Sequence, residues 1–456
     1  MCYRSSLVLA AALLAPTTVS AQTPFVYQTL PPMPGDLSSI PSAINAHGDV
    51  VGRSFTAARV SVATLWIDGI PQSLGTLAGT VHSYAEAINQ YREVVGVSLP
   101  AGSLDYRAWI WDPVAGMREL LAPAPFLHPF VADINDSGLI VGMVSDPAGL
   151  FFSQIAVWDR AGNATVIGAP PGYPVGGPGR TNRFGEICFT AASLSFGSAG
   201  FRWDAVNGFR SLPPLVSGST TAGFIDDAGR VFGSDVTSGE LVVWDGFVPT
   251  ALGKGWNGQG ADCGGLNEQG WALSSGSTVE GDQIYENGVF RKLLDFVPTS
   301  VGSDAAWGGA VADSGLISGS STRNGKLGEG FLLVPPARIE IDGGQIGGTI
   351  AFRHVAPTFP GKIVATLVSL TGMAGSFHVG RGTHVRLDFD IATSILLGFP
   401  GIGILTLDGS GRATTAAIDI DNDPALVGLP GFACSVVFQG GKTPPVGSTT
   451  VPFILE

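Results

Sequence analysis

The sequence predicts an all-β protein, a seven-bladed β-propeller followed by a small C-terminal β-sandwich. Three observations predict it: a composition rich in turn residues, a phrase that recurs about every forty-five residues, and the loss of that phrase after residue 336. Of 456 residues, 65 are glycine and 31 are proline, about one in five. Both disfavour helix interiors, yet the fraction stays below that of low-complexity chains and has no collagen period. With 45% hydrophobic residues the chain has apolar material for one large domain or two.

Charge and cysteines narrow the partners. The formal net charge is −13 and only 13% of residues are charged, with no basic cluster. Nucleic acid and anionic membrane surfaces both need a concentrated positive face, so neither is an expected partner. Arg4, the apolar run 7–15 and the small residues Val19-Ser20-Ala21 read as a secretory signal over residues 1–21, cut before Gln22. The mature chain is expected outside the cytoplasm, at the cell surface or secreted. The apolar run 391–407 contains Gly398, Pro400, Gly401 and Gly403. It is read as two buried strands around a turn, since a spanning helix wants about 20 unbroken apolar residues. Cys188, Cys263 and Cys434 are far apart, with no Cys-x-x-Cys, so neither a disulfide framework nor a metal site is predicted.

The repeat organises residues 22–336. Ala43-Ile44-Asn45-Ala46-His47-Gly48-Asp49-Val50-Val51-Gly52 returns around Asn89 and Asn135, and more weakly around Asn182, Asp226, Asn267 and Ala312. The spacings between these seven positions are 44, 46, 47, 44, 41 and 45 residues. Each phrase reads as a hairpin. Asn45, Asn89, Asn135, Asn182 and Asn267 cap the corner through their side chains. Gly48, Gly138, Gly185, Gly229, Gly270 and Gly315 supply a positive φ. Val-Val-Gly begins the returning strand. Arg92 stands where the other copies carry Gly, which predicts a strained or differently built turn.

About twenty residues after each phrase comes an apolar strand with an aromatic, as in Leu65-Trp66, Trp109-Ile110-Trp111, Val157-Trp158, Phe201-Arg202-Trp203, Val243-Trp244 and Ile284-Tyr285. Short fourth strands follow around Leu74-Gly75, Leu120-Leu121, Ile167-Gly168, Leu212, Leu252-Gly253 and Leu293-Leu294. Four short strands per forty-five residues match a propeller blade. The aromatics are read as packing between blades. The last repeat lacks a fourth strand, and Phe25-Val26-Tyr27-Gln28-Thr29-Leu30 before the first repeat has the look of one, so pairing the two closes the ring. Small residues at alternate positions before each Asn (Ser83, Ala85, Ala87; Ala306, Gly308, Ala310) suit the crowded strand nearest the axis, with Asp133, Arg180 and Phe224 as exceptions.

These residues carry a likeness. Leu65-Trp66-Ile67-Asp68-Gly69, Leu74-Gly75-Thr76-Leu77-Ala78-Gly79 and Ala85-Glu86-Ala87-Ile88-Asn89 through Val94-Val95-Gly96 resemble the HAF family of extracellular repeats, across residues 40–334. The resemblance implies an exported bacterial repeat protein and brings no catalytic residue with it. Residues 337–456 alternate apolar stretches (339–341, 363–370, 385–389, 402–407, 434–438) with glycine turns, the pattern of a β-sandwich. Leu407-Asp408-Gly409-Ser410-Gly411-Arg412-Ala413 and Asp423-Pro424-Ala425-Leu426-Val427-Gly428 resemble a C-terminal module of planctomycete-type secreted proteins. Asp419-Ile420-Asp421-Asn422-Asp423 lacks the glycine and glutamate of a calcium loop and is read as a strand-end turn.

Catalytic motifs are absent: no Gly-x-Ser-x-Gly elbow, no His-Glu-x-x-His and no phosphate loop. No cofactor is expected. The candidate ligand-binding residues are those entering the inner strands: His82, Tyr84, His128, Phe130, Trp256, Asn257 and Trp307. Loops of this kind converge on one face, where aromatics stack on a sugar or a protein partner. The favoured function is a monomeric, non-catalytic exported propeller that binds polysaccharide or another envelope protein. The alternative is a polysaccharide-cleaving enzyme with carboxylates at the axis, because such pairs leave no local signature.

Overall fold

The computed structural model describes residues 25–335 apart from 104, 148–152, 178, 194, 256–262, 268–269, 278–280, 287, 313 and 325. Beyond 335 it describes 338–343, 349–355, 363–369, 377–378, 384–385, 404–406, 412–414, 418–419, 430–438, 446–447 and 451–454. The proposed signal segment lies outside them.

Short strands joined by tight turns bury one edge and both faces only by assembling with copies of themselves, and the strand pairings show this assembly. Ser38–Ile44, Val50–Phe55, Ser61–Ile67 and Ile70–Gly75 form the first antiparallel blade, and His82–Ile88, Val94–Leu99, Arg107–Asp112 and Gly116–Leu120 the second. The third is Leu127–Ile134, Ile140–Ser145, Ser153–Trp158 and Ala164–Gly168, and the fourth Arg180–Thr181, Ile187–Ser193, Gly197–Asp204 and Gly208–Ser211. The fifth is Thr220–Ile225, Val231–Asp235, Glu240–Asp245 and Val248–Gly253, and the sixth Cys263–Leu266, Ala272–Ser277, Gly281–Glu286 and Val289–Lys292. The seventh combines Ala305–Val311, Ile317–Arg323 and Lys326–Val334 with the N-terminal strand Val26–Leu30. That strand runs antiparallel to 330–334, Val26 opposite Val334 and Leu30 opposite Gly330. The fold is a β-propeller.

The first strand of each blade touches its counterparts on both sides, and the first blade's inner strand touches that of the seventh. These strands are therefore the innermost, and the small residues along them permit the approach. Apolar clusters straddle every junction between neighbours. Trp66 and Leu30 pack between the seventh and first blades, and Leu65 with Trp109 between the first and second. Trp158 and Val97 lie between the second and third, and Phe189 with Ile155 between the third and fourth. Trp244 and Cys188 fill the next junction, Phe232 and Ala272 the one after, and Phe331 with Ile284 the last. The repeat aromatics do pack between blades. Three also hold the preceding outer strand: Trp66, Trp158 and Trp244 Nε1 donate to the carbonyls of Pro31, Leu121 and Pro213, each at 2.8 Å.

Two local expectations need correction. Leu293-Leu294 is a 3₁₀ turn, Leu293–Phe296, packed after the strand rather than within it. The fourth inner strand is split into Val175–Gly176 and Arg180–Thr181. Beyond 335, Arg338–Gly343, Thr349–Val355, Arg412–Thr414 and Ile418–Asp419 form one antiparallel sheet. Ile404–Thr406, Ile363–Ser369, Pro430–Phe438, Val446–Gly447 and Val451–Ile454 form a second. Of the run 391–407 only the strand 404–406 is described, and the acidic stretch 420–423 lies outside the described residues.

Candidate functional site in the axial channel

The repeat hairpins close one end of the channel. In each, the residue three after the Asn position donates its N–H to that position's carbonyl, as Gly138 does to Asn135 at 3.0 Å. Glycine there takes φ between 74° and 88° at Gly48, Gly138, Gly185, Gly229, Gly270 and Gly315. Arg92 adopts φ 61° in the same turn, so the strained alternative holds. Its guanidinium meets the Asp49 carboxylate of the preceding blade at 2.8 Å.

The asparagines do more than cap. Each Oδ1 accepts the N–H four residues on: Asp49, Glu93, Leu139, Glu186 and Trp271, at 2.8–3.1 Å. Each Nδ2 then donates to the next blade's carbonyl, from Asn45 to Asn89, Asn89 to Asn135, Asn135 to Asn182, Asn182 to Asp226 and Asn267 to Ala312, at 2.9–3.2 Å. An amide supplies an acceptor and a donor on separate atoms, which a carboxylate cannot. The belt lacks its link at Asp226, whose carboxylate turns to Arg230 at 2.6 Å, and at Ala312, which has no polar side chain. A cavity of about 180 Å³ lies here, lined by Ala46, Gln90, Asp226 and Asn267 among others.

The third residue of Val-Val-Gly has its own cause. Pairing skips one residue of the inner strand between Pro41 and Ala43, Ala85 and Ala87, Val131 and Asp133, Ala222 and Phe224, and Gly308 and Ala310. This β-bulge drops a carbonyl onto the partner strand. A Cβ on Gly52, Gly96, Gly142 or Gly233 would overlap the carbonyl oxygen of Ile40, Tyr84, Phe130 or Thr221 respectively. Phe189 occupies the place in the fourth blade, where the inner strand is split. Bulges re-aim side chains. The skipped residues are Ser42, Ala132, Gly223 and Gly309, all small, and Glu86.

Glu86 is thereby set among charges from other blades. Burial raises its carboxyl above the ordinary carboxylate value, while Arg180 of the fourth blade and Arg53 of the first pull it down. Asp133 is raised for the same reason, against Arg180 and the N–H groups of Thr181 (2.9 Å) and Ile134 (3.0 Å). Both arginines lie over aromatic rings. Arg53 sits 4.7 Å from the Tyr84 centroid and 5.4 Å from Phe55, and Arg180 5.1 Å from Phe224. Arg180 also donates to the Ala132 carbonyl. The residues that break the small-residue pattern, Asp133, Arg180 and Phe224, therefore belong with Glu86 to one mixed-charge cluster at the axis. Sequence reading noticed three of them but had no means to join them.

A folded-state carboxyl raised above its unfolded value gives stability that is whole below that value, 4.5 for Glu86, and is lost as pH climbs through the raised one. Glu86→Gln is therefore expected to stabilise the propeller by about 1 kcal/mol at pH 7. The gain should vanish below about pH 4.5. Thermal unfolding of both proteins against pH checks this, and parallel curves would refute it.

The candidate rim residues divide. His82 Nδ1 lies 3.3 Å from the Ser61 N–H. Tyr84 is half-buried beneath Arg53. His128, at φ 47°, places Nδ1 3.4 Å from Asp105. Phe130 stands edge-on to Tyr106 at 5.4 Å and packs against the core between the second and third blades. Trp307 is half-buried opposite Ser320. Trp256 and Asn257 lie outside the described residues. Tyr84, Phe130 and Trp307 share one repeat position, five before the Asn position, and so line the same level of the ring.

No family model matches the chain, and no curated protein is similar to it in sequence. The chain is similar to several solved structures. One is a puromycin hydrolase mutant complexed with PGG, at 13% identity and TM-score 0.46, covering 74% of this chain and 62% of that one. Another is a catalytically inactive virginiamycin B lyase from Staphylococcus aureus with quinupristin, at 10% identity and TM-score 0.47, covering 68% and 99%. A third is YCF48 bound to D1 peptide, at 12% identity and TM-score 0.43, covering 69% and 96%. The chain spans less than two thirds of the puromycin hydrolase it matches. Among the described residues, no helix is long and apolar enough to cross a membrane, and no three His, Cys, Asp or Glu are grouped to hold a metal ion.

Proposed function

We propose that this is an exported, HAF-type repeat propeller that binds a polysaccharide or an envelope protein at the end of the ring where the inner strands enter. The supporting observation is the axial cluster. Glu86, Asp133, Arg53 and Arg180 come from four different blades and converge where only the assembled ring brings them together. Charged groups enclosed in this way destabilise a fold unless paired, and persist where they serve a ligand. His82, Tyr84, His128 and Trp307 stand at or beside the entrance. Residues 1–21 serve as the export signal and 337–456 as a separate β-sandwich in this reading. A monomer suffices, since the ring is built within one chain.

One observation favours a second reading. Two carboxyls with raised proton affinity, Glu86 and Asp133, are what general acid–base cleavage of a glycosidic bond uses. A glycan array probed with the mature chain, followed by reducing-end assays on each bound glycan, separates the two. Binding without products is expected. Product release abolished by Asp133→Asn would establish the enzyme, and no binding to any glycan or envelope extract would overturn the binding function.

A further inference from the structure

Eight arginines among the described residues form ion pairs, including Arg92, Arg202 and Arg230. Arg53 and Arg180 are different. Both are largely enclosed, both lie toward the axis, and among the described residues no carboxylate oxygen lies within 4.0 Å of either guanidinium. Arg53 Nε is buried without a hydrogen-bond partner. The guanidinium carbons lie 4.7 Å and 5.1 Å from the ring centroids of Tyr84 and Phe224; Arg180 spends one N–H on the Ala132 carbonyl, and the other N–H groups are left for something else. Glu86 and Asp133 act on these arginines from beyond contact distance, so neither guanidinium is neutralised by a contact ion pair and an anion can complete it.

The rest of the protein strengthens the contrast. The chain carries a net charge of −13 and shows no basic patch in its sequence, so an anionic ligand meets repulsion almost everywhere on it. Both arginines act on Glu86, and burial raises its carboxyl above the ordinary value, so its negative charge competes less with that of a ligand. Planar, two-oxygen anions match a guanidinium edge bidentately.

Building on the reading that a glycan enters this channel, we propose that the Arg53–Glu86–Arg180 cluster binds the carboxylate of a uronate unit, making acidic polysaccharides the ligand class. The carboxylate lies between the two guanidinium edges, and the sugar ring rests at the level of Tyr84. Nothing is cleaved in this binding step.

Calorimetry with trigalacturonate, galactotriose and inorganic phosphate tests it on the mature chain. Trigalacturonate is expected to bind at least tenfold more tightly than galactotriose. Arg53→Met and Arg180→Met, which keep the stacked stem and remove the charge, are each expected to weaken trigalacturonate at least tenfold. Arg180→Lys should lose less, because it keeps the charge and loses only the fork. Unfolding transitions of each variant establish that the ring is intact. Equal affinity for the acidic and neutral trisaccharides would overturn the uronate site while leaving glycan binding in place. Arginine-dependent phosphate binding without trigalacturonate binding would overturn it in favour of a phosphate ligand. Trigalacturonate binding unaffected by both Met variants would overturn it outright.

Discussion

Gly142→Ala is expected to destabilise the propeller by about 3 kcal/mol or more, and Gly270→Ala by only about 1 kcal/mol. The two glycines sit in the same repeated phrase of different blades, and they are there for unrelated reasons. Gly270 takes φ 78° and a Cβ there meets no atom within 4 Å, so alanine suffers only the left-handed backbone. Gly142 needs no unusual dihedral. The bulge at Ala132 drops the Phe130 carbonyl onto it, and backbone cannot rotate away as a side-chain end can. Accommodating even one methyl must lift the inner strand of the third blade, which carries Asp133 and touches the inner strands on either side. The apparent Tm of the propeller should fall by roughly 5–10 °C for Gly142→Ala and by about 2 °C for Gly270→Ala. Similar losses for both would mean that the bulge yields readily.

The contrast marks how much of the molecule was legible in its sequence. Period, turn position and the orphan N-terminal strand are local or additive signals, and the strand pairings follow them. The Asn positions were read as turn caps, which they are, but their Nδ2 donation into the next blade joins residues 44 to 47 apart and has no sequence signature beyond the identity of the amide. A reader could have noticed that asparagine, rather than the equally good capping residue aspartate, fills five of seven positions. Val-Val-Gly was taken as the start of a strand, and the bulge that demands its glycine was invisible because pairing register belongs to two strands at once. The axial cluster was seen only as irregularity: Asp133, Arg180 and Phe224 violated a small-residue pattern, and Glu86 sat unnoticed between Ala85 and Ala87. Where a repeat departs from its own rule without losing the fold, function is a natural cause. Those departures, taken together, were the sequence's pointer to the candidate site.

Deleting residues 22–31 from the mature chain is expected to abolish cooperative unfolding of the propeller near 37 °C and leave an aggregating protein. Val26–Leu30 is the fourth strand of the seventh blade, so without it 330–334 becomes a bare edge of Leu, Val and Phe. The loss reaches both neighbours. Leu30 is 1% exposed and belongs to the cluster between the seventh and first blades, where Trp66 Nε1 also loses the Pro31 carbonyl. Tyr27 and Phe25 lie 5.7 Å from Phe331 and 5.3 Å from Phe296, covering the junction with the sixth blade. Losing the strand uncovers parts of two junction clusters at once, a large fraction of the 5–15 kcal/mol or so by which folded domains are stable. Leu30→Ala serves as the gentler companion, with an expected loss of about 3 kcal/mol and an intact fold. Adding a synthetic peptide of residues 22–34 to the truncated chain should restore the transition in proportion to peptide concentration, because the missing strand binds only the folded ring. A truncated chain that unfolds within a few degrees of the full one would mean that the ring holds without its N-terminal strand. The first and seventh blades also meet through their inner strands, so the N-terminal strand completes a junction that those contacts begin, and its loss weakens the seventh blade toward both of its neighbours.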